Sequence, residues 1–480
     1  MIGYVLGRIL LTEAVLMLRP LLTAVWYGES VIPFVVPILI LALVGLALDI
    51  RKPKRTSLYA KEGFVVVALA WIFMSAFGAL PFVISGDIPH FVDAFFETVS
   101  GFTTTGASIL DNVEALSRTS LFWRSFTHWI GGMGVLVFLL AVVPLSGGSN
   151  FHLMRAESPG PSVGKLVPKL RQTARILYLI YFAMTVIEMV LLIIGRMPVF
   201  DAITTSFGTA GTGGFGIKND SITSYSNYCQ WVITVFMILF GVNFNAYYFI
   251  LLKKFRKAFS MEEVKGYFVI IGIAIAVIFV NILNIYGSVI EALKQASFQV
   301  ASIITTTGFA TADFNVWNQC SKTILVLLMF IGACAGSTGG GIKVSRIMVL
   351  IKTVIKEFHS YIHPKSIRKI KIEGKPVEHE VVRATNVYFI TFIIIFCASV
   401  LLVSFEGKDL VTNFTAVAAT INNIGPGLEL VGPSTNFLHF NPFTKWVLIF
   451  DMLAGRLELF PMLILFHPTM WKQMLTKRKK

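Results

Sequence analysis

The chain is 480 residues long, 55% hydrophobic and 14% charged, with a mean hydropathy of +0.74, which excludes an ordinary soluble domain. Its 41 lysines and arginines against 26 acids leave a net +15, but those charges sit in clusters between apolar runs, which excludes a nucleic-acid face as their purpose. Cys229, Cys320, Cys334 and Cys397 are scattered without paired spacing, so neither a disulfide framework nor a cysteine metal site is expected and all four read as small core residues.

Two apolar runs, 5–26 and 31–48, open the chain, each long enough to cross a hydrocarbon core. No small-residue cleavage site follows the first and a second span comes at once, so it reads as a retained span and not a signal peptide. Further runs lie at 64–82, 121–145, 176–194, 231–252, 267–286, 387–405 and 446–466, with a shorter one at 323–332 cut off by glycines. Basic residues gather at 51–61, 155–175, 253–265, 343–383 and 472–480, and few lie on the opposite side. That asymmetry predicts cytoplasmic clusters and two cytoplasmic termini in a multi-pass membrane protein.

A repeat runs through this pattern. "SGFTTTGAS" (100–108), "GTAGTGGFG" (208–216), "IITTTGFAT" (303–311) and "TINNIGPGL" (420–428) each place a glycine after a short Thr/Asn/Gly stretch: Gly106, Gly214, Gly308 and Gly425. Each glycine follows an amphipathic segment too short to span, 93–102, 201–210, 295–304 and 412–421. Counting back thirteen residues gives the expected helix starts, Asp93, Asp201, Gln295 and Thr412, of which the first two have the acidic character of an N-terminus. A single copy reads equally well as a helix kink or a surface turn. Four copies behind the same kind of half-helix predict four re-entrant loops.

The expected fold is therefore an all-α polytopic membrane protein. Four pseudo-symmetric helix–pore-loop–helix repeats surround a central pore, preceded by two extra transmembrane helices, for ten in all. The divisions are 1–55 for the extra helices, 56–150, 151–258, 259–352 and 384–480 for the repeats, and 353–383 for a cytoplasmic insert. Irregular backbone at membrane depth is tolerated only where protein buries it or water meets it, so the loops are expected to share one axis. Their carbonyls would there replace a cation's hydration shell. Downstream acids Asp111, Asp220, Asp313 and Glu429 would ring the outer mouth, or stand as separate solvated loop acids. "AGSTGGG" (335–341) breaks the second span of the third repeat, and serves either backbone motion or close helix packing. Arg456, midway through the last span, should face a cavity or a partner acid, since a cation at mid-bilayer costs about 2.5–3.5 kcal/mol. Glu458, two residues on and on another helix face, is a poor partner within that helix.

No GxSxG, HExxH, Walker lysine loop or paired intramembrane carboxylate is present, so no enzyme is expected. No membrane-buried chain of acids and histidines is evident either, which favours facilitated flux over ion coupling.

These loops, the two extra N-terminal spans, "RAESPGP" (155–161), "TTTGFATADF" (305–314) and "GACAGSTGGGIK" (332–343) together resemble the TrkH potassium transporters of the TrkH/KtrB/HKT superfamily, over nearly the whole chain. The resemblance implies gated potassium uptake across a bacterial cytoplasmic (inner) membrane by a homodimer, with K+ as the transported ion and no cofactor bound by this chain. It implies a filter of Thr104, Thr105, Gly106, Thr212, Gly213, Gly214, Thr306, Thr307, Gly308, Asn423, Ile424 and Gly425, at which K+ binds. It assigns a gate to Gly336, Ser337, Thr338, Gly339, Gly340 and Gly341 and an electrostatic barrier to Arg456. A cytosolic TrkA-like RCK ring, binding ATP/ADP or NAD(H), would dock on the cytoplasmic loops. The alternative within this architecture is a sodium-coupled or a sodium- or ammonium-permeating relative.

Overall fold

The structure, a computed structural model, describes residues 2–50, 60–132, 134, 170–366, 369–470 and 472. "RAESPGP", the end of the 121–145 run and most of the basic clusters at 51–61 and 472–480 lie outside them. The first expected span is one bent unit, α1 (Ile2–Leu16) and α2 (Leu18–Tyr27). The break falls where the Pro20 ring opposes the carbonyl four residues earlier. Helix α3 (Ile32–Asp49) runs back against α1, with Gly7 so close that an added Cβ would lie 2.9 Å from Leu48 Cβ.

The four repeats follow. The first is α4 (Ala60–Gly78) with α5 (Leu80–Ser85), the half-helix α6 (Phe91–Phe102) and the second span α7 (Arg118–Gly132). The second is α8 (Leu170–Ile194), half-helix α9 (Val199–Gly211) and a second span split into α10 (Asn227–Phe240) and α11 (Phe244–Leu251), bent by 91°. A short α12 (Phe255–Ser260) leads to the third: α13 (Glu262–Tyr286), half-helix α14 (Val289–Ile304), α15 (Gln319–Ile331) and α16 (Val344–Ile362). The fourth is α17 (His379–Ser404), half-helix α18 (Leu410–Ile421), α19 (Pro442–Arg456) and α20 (Phe460–Leu465).

Between α16 and α17 a two-stranded hairpin, β1 (Lys371–Ile372) and β2 (Lys375–Pro376), is the one departure from an all-helical fold among the described residues. Both helices extend into the expected insert and leave 363–378 outside them.

Among the described residues six helices are long and apolar enough to cross a membrane, and a seventh if the bent pair counts as one. Ten spans were expected. The second spans are shorter as continuous helices: three end after 13–15 residues at Phe240, Ile331 and Arg456, and the described part of α7 reaches Gly132. Their starts share a signal as well. Ser117, Ser226, Asn318 and Asn441 each accept a hydrogen bond from the backbone N–H three residues on.

The half-helices are buried on nearly every side in their later turns and are not amphipathic there. Their polar residues tolerate this because hydroxyls bond back into the helix, as in Thr98 to Ala94 O (2.7 Å) and Thr420 to Ala416 O (2.9 Å). Three of them start two residues before the expected position. The third starts six residues early, its first turns held by Glu291, which meets Lys294 at 2.9 Å and Gln295 at 2.8 Å. Cys229 and Cys334 are core residues as expected, whereas Cys320 and Cys397 are exposed.

Candidate functional site

The four glycine loops begin where the half-helices end, and they have one conformation. The residue two before each glycine is left-handed: Thr104 (φ 55°), Thr212 (53°), Thr306 (59°) and Asn423 (56°). The glycines are left-handed too, at 81°, 77°, 85° and 93° for Gly106, Gly214, Gly308 and Gly425. That geometry disfavours any L side chain at the glycine.

The loops also close on one another. A Cβ added to Gly106 would strike Gly213 O, one on Gly214 would strike Thr307 O, and one on Gly308 would strike Ile424 O. On Gly425 it would lie 2.8 Å from Thr105 O. Each glycine thus meets the carbonyl of the residue before the next loop's glycine, in the order one, two, three, four and back to one. The expected filter residues are brought together around a single axis, with backbone oxygens as its chemistry. Each half-helix C-terminus, the negative end of its dipole, also stops within a few residues of that axis.

Side chains outside the loops hold them in place. Glu97 of α6 accepts from Ile109 N–H (2.9 Å) and pairs with Arg124 (2.5 Å), whose guanidinium also donates to Gly216 O (2.7 Å) and covers the Phe215 ring. Gln299, with its amide oxygen turned to the loop, accepts from Thr311 N–H at 3.1 Å. Thr415 accepts from Leu428 N–H at 3.0 Å. Counted from the loop glycines 106, 308 and 425, all three acceptors tie down the residue three places on. In the second loop His128 takes this part, donating from Nδ1 to Gly101 O (2.8 Å) and accepting at Nε2 from Phe215 N–H (3.2 Å). Sequence reasoning missed these braces. A lone Glu inside a half-helix and a lone Arg inside a span were the available signals.

The expected ring of carboxylates does not form at the mouth. A cavity of about 130 Å³ opens above the glycines, lined by Gly106, Gly214, Gly308 and Gly425, and Asp111 is the one member of the four acids in its wall. Asp111 accepts from Asn436 (2.6 Å), and Asp220 from Ser224 (3.4 Å). Asp313 caps its own 3-10 turn through Asn315 N–H (2.9 Å), and Glu429 is exposed. Because the loops rejoin their spans by stretches of unequal length, similar offsets from the glycines do not give equivalent positions.

Beneath the loops, 332–343 packs against the third and fourth of them. Gly340 N–H donates to Thr306 Oγ1 (2.6 Å) and Gly341 N–H to Asn422 O (3.0 Å), so this segment hydrogen-bonds two of the four loops from below. Its sides are fixed to the bend of the second repeat, where Cys334 N–H meets Gly241 O (3.1 Å) and Phe244 N–H meets Gly336 O (3.0 Å). The buried Glu263 gathers both ends. It accepts from Ala335 N–H (2.6 Å), Ser345 N–H (3.2 Å) and Asn243 Nδ2 (3.1 Å). Lys343, buried with φ 88°, donates to Gly339 O.

Arg456 meets a set of carbonyls. It donates to Thr338 O (3.0 Å) in this segment and to Gly131 O and Gly132 O (3.1 Å to the latter) at the α7 C-terminus, a cation on the negative end of a helix. Glu458 pairs instead with Arg346 of α16, itself 3.9 Å from the Tyr388 ring centroid. Glu13, Glu188 and Asp451 are also wholly buried within spans. Among the described residues no cluster of His, Cys, Asp or Glu could hold a resident metal.

Residues 34–477 match the family model described as cation transport protein, TrkH. The chain is 37% identical over 430 residues to the Trk system potassium uptake protein TrkH of Salmonella typhimurium, covering 88% of each. It is 36% identical over 482 residues to the protein of that name from Vibrio parahaemolyticus, covering 98% of each. The crystal structure of the potassium transporter TrkH from Vibrio parahaemolyticus superposes with a TM-score of 0.88 at 34% identity, over 98% of this chain and 99% of that one. These relatives are named as transporters, not enzymes.

Proposed function

The chain belongs to the TrkH family of cation transport proteins, and from that premise we propose that it takes up potassium through the axis of its four glycine loops. The observation that carries this reading is the cyclic contact of Gly106, Gly214, Gly308 and Gly425 with the next loop's carbonyl. Oxygens of residues 104–106, 212–214, 306–308 and 423–425 would strip and replace the hydration shell of K+. Four half-helix dipoles add negative potential, and Asp111 attracts cations at the mouth. The membrane potential supplies about 2.3 kcal/mol per charge per 100 mV inward.

Residues 336–341, under the third and fourth loops and stapled by Arg456, are the gate in its closed position. The Arg456 charge adds an electrostatic barrier for a cation that has passed the filter. Basic clusters between spans support cytoplasmic termini in the cytoplasmic membrane. Homodimer formation and control by a cytosolic nucleotide-binding ring complete the proposal. Lys365, Lys369 and Lys371 near the hairpin offer such a ring a basic face, and Arg368, assigned to the same face, lies outside the described residues.

The test is rubidium against sodium uptake in a strain lacking potassium uptake. Rescue of growth at low potassium with rubidium flux, lost in Gly308→Ser, is expected. Sodium flux without rubidium flux overturns it.

A further inference from the structure

Glu13 lies on α1, one of the extra N-terminal helices, and is 1% exposed with neither carboxyl oxygen hydrogen-bonded. The facing helix α4 carries two more polar groups in the same condition, Ser75 Oγ and Trp71 Nε1, both buried. The three converge by register. Glu13 Oε1 lies 3.4 Å from where a Gly78 Cβ would be, and Ser75 and Trp71 precede Gly78 by three and seven residues, on the same face. A helical side chain leans over the turn before its own Cα, which directs Glu13 toward them. Four buried polar atoms without partners on two packed helices define a polar site in an apolar wall.

The site touches the transport machinery on two sides. Gly78 packs on Thr98 and Phe102, in the last turns of α6 before the first glycine loop. The Trp71 ring centroid is 5.9 Å from the Arg456 guanidinium carbon. The charged groups on the packed elements are otherwise engaged or remote. Arg8 and Asp49 pair at 2.6 Å, Asp93 meets Lys445 at 2.6 Å, Glu97 meets Arg124, Arg19 is exposed, and Glu62 starts the far end of α4.

We propose that Glu13 is a reversible proton-binding carboxyl whose charge state is felt at Arg456 and at the first glycine loop. A buried water joining Glu13 to Ser75 and Trp71 relays the proton, breaking one of its O–H bonds as it takes up a proton from solvent; a carboxylate oxygen gains the O–H bond, the water is regenerated and the group becomes neutral. A metal cation is the poorer occupant, because the indole N–H is a donor and the two side chains offer too few oxygens. Within the transport reading on which the effect on flux rests, deprotonation places a negative charge beside the end of α6 and behind the Trp71 ring that faces Arg456.

Infrared spectra of the purified protein test the site without transport. The carbonyl band of a protonated carboxyl that titrates with pH is expected in the wild type and lost in Glu13→Gln, which keeps the shape. Ser75→Ala, which leaves Glu13 in place, is expected to shift that band's titration. Identical titrating spectra in wild type and Glu13→Gln, or an unmoved band in Ser75→Ala, overturn the assignment. In proteoliposomes, rubidium flux of the wild type is expected to step with pH, and Glu13→Gln to stay at the acid-side level throughout; overlaid profiles overturn the coupling. A wild type that carries no rubidium at any pH defeats the transport reading, while the infrared result still decides the proton site.

Discussion

The ring of glycine loops and the segment beneath it are built by opposite rules. In the ring four copies of one backbone shape interlock, and each carbonyl that faces the axis is supplied by main chain. Among the described residues the lower segment occurs in the third repeat alone, and it is held by single side chains: Glu263, Arg456 and Thr306 from outside it and Lys343 from within. In the proposed transport reading, selectivity would need oxygens at fixed spacing, which mutual packing of backbone provides. A movable barrier would need contacts that can be exchanged one at a time, which charged side chains on carbonyls provide.

The sharpest way to break this contrast is a side chain in the ring. Gly308→Ser imposes about 2–3 kcal/mol of backbone strain at φ 85° besides its clash with Ile424 O, and rubidium uptake is expected to fall on the order of 100-fold. Uptake within a few-fold of wild type would mean the ring tolerates deformation and is not the rigid element. The lower segment should answer with the opposite sign. Arg456→Gln removes charge-assisted bonds to three carbonyls, and basal uptake is expected to rise about tenfold.

Glu263→Gln keeps one acceptor oxygen for the two N–H groups and is expected to raise uptake by about threefold. A fall in either variant, with normal expression and dimension on a sizing column, would show the segment to be a structural plug.

The smallest effect belongs to a helix cap that serves the ring from a distance. Asp409 caps α18 through Thr412 N–H (2.9 Å) and its hydroxyl, and these hydrogen bonds hold its carboxyl below the usual range. Asp409→Ala is expected to cost about 1 kcal/mol and to lower the melting midpoint in detergent by about 2 °C. Because the folded-state value is depressed, that contribution is present above the ordinary carboxylate range and lost as pH falls through the lowered value. The wild-type advantage should therefore disappear in acid.

Much of this was legible in the sequence where backbone conformation dictates residue type. Gly106, Gly214, Gly308 and Gly425 could be read because no other residue suits a left-handed position pressed against a neighbouring carbonyl. The start of α14 was misplaced because symmetry was carried over from α6 and α9, while Glu291 and Lys294 extend that helix locally. Partners across repeats were not legible. Arg346 with Glu458 joins residues far apart in sequence, and spacing carries no signal for such a pair. The mouth acids failed for a related reason, since offsets along the chain say little once connecting stretches differ in length.

The closed order of contacts from one glycine to the next carbonyl has a consequence for how the molecule can vary. In a pore assembled from identical subunits one codon change appears in every quadrant at once. Here each quadrant has its own codons, and Asn423–Ile424–Gly425 beside Thr306–Thr307–Gly308 already shows them drifting independently. Lesions can be introduced into a single quarter while three untouched quarters serve as the internal control.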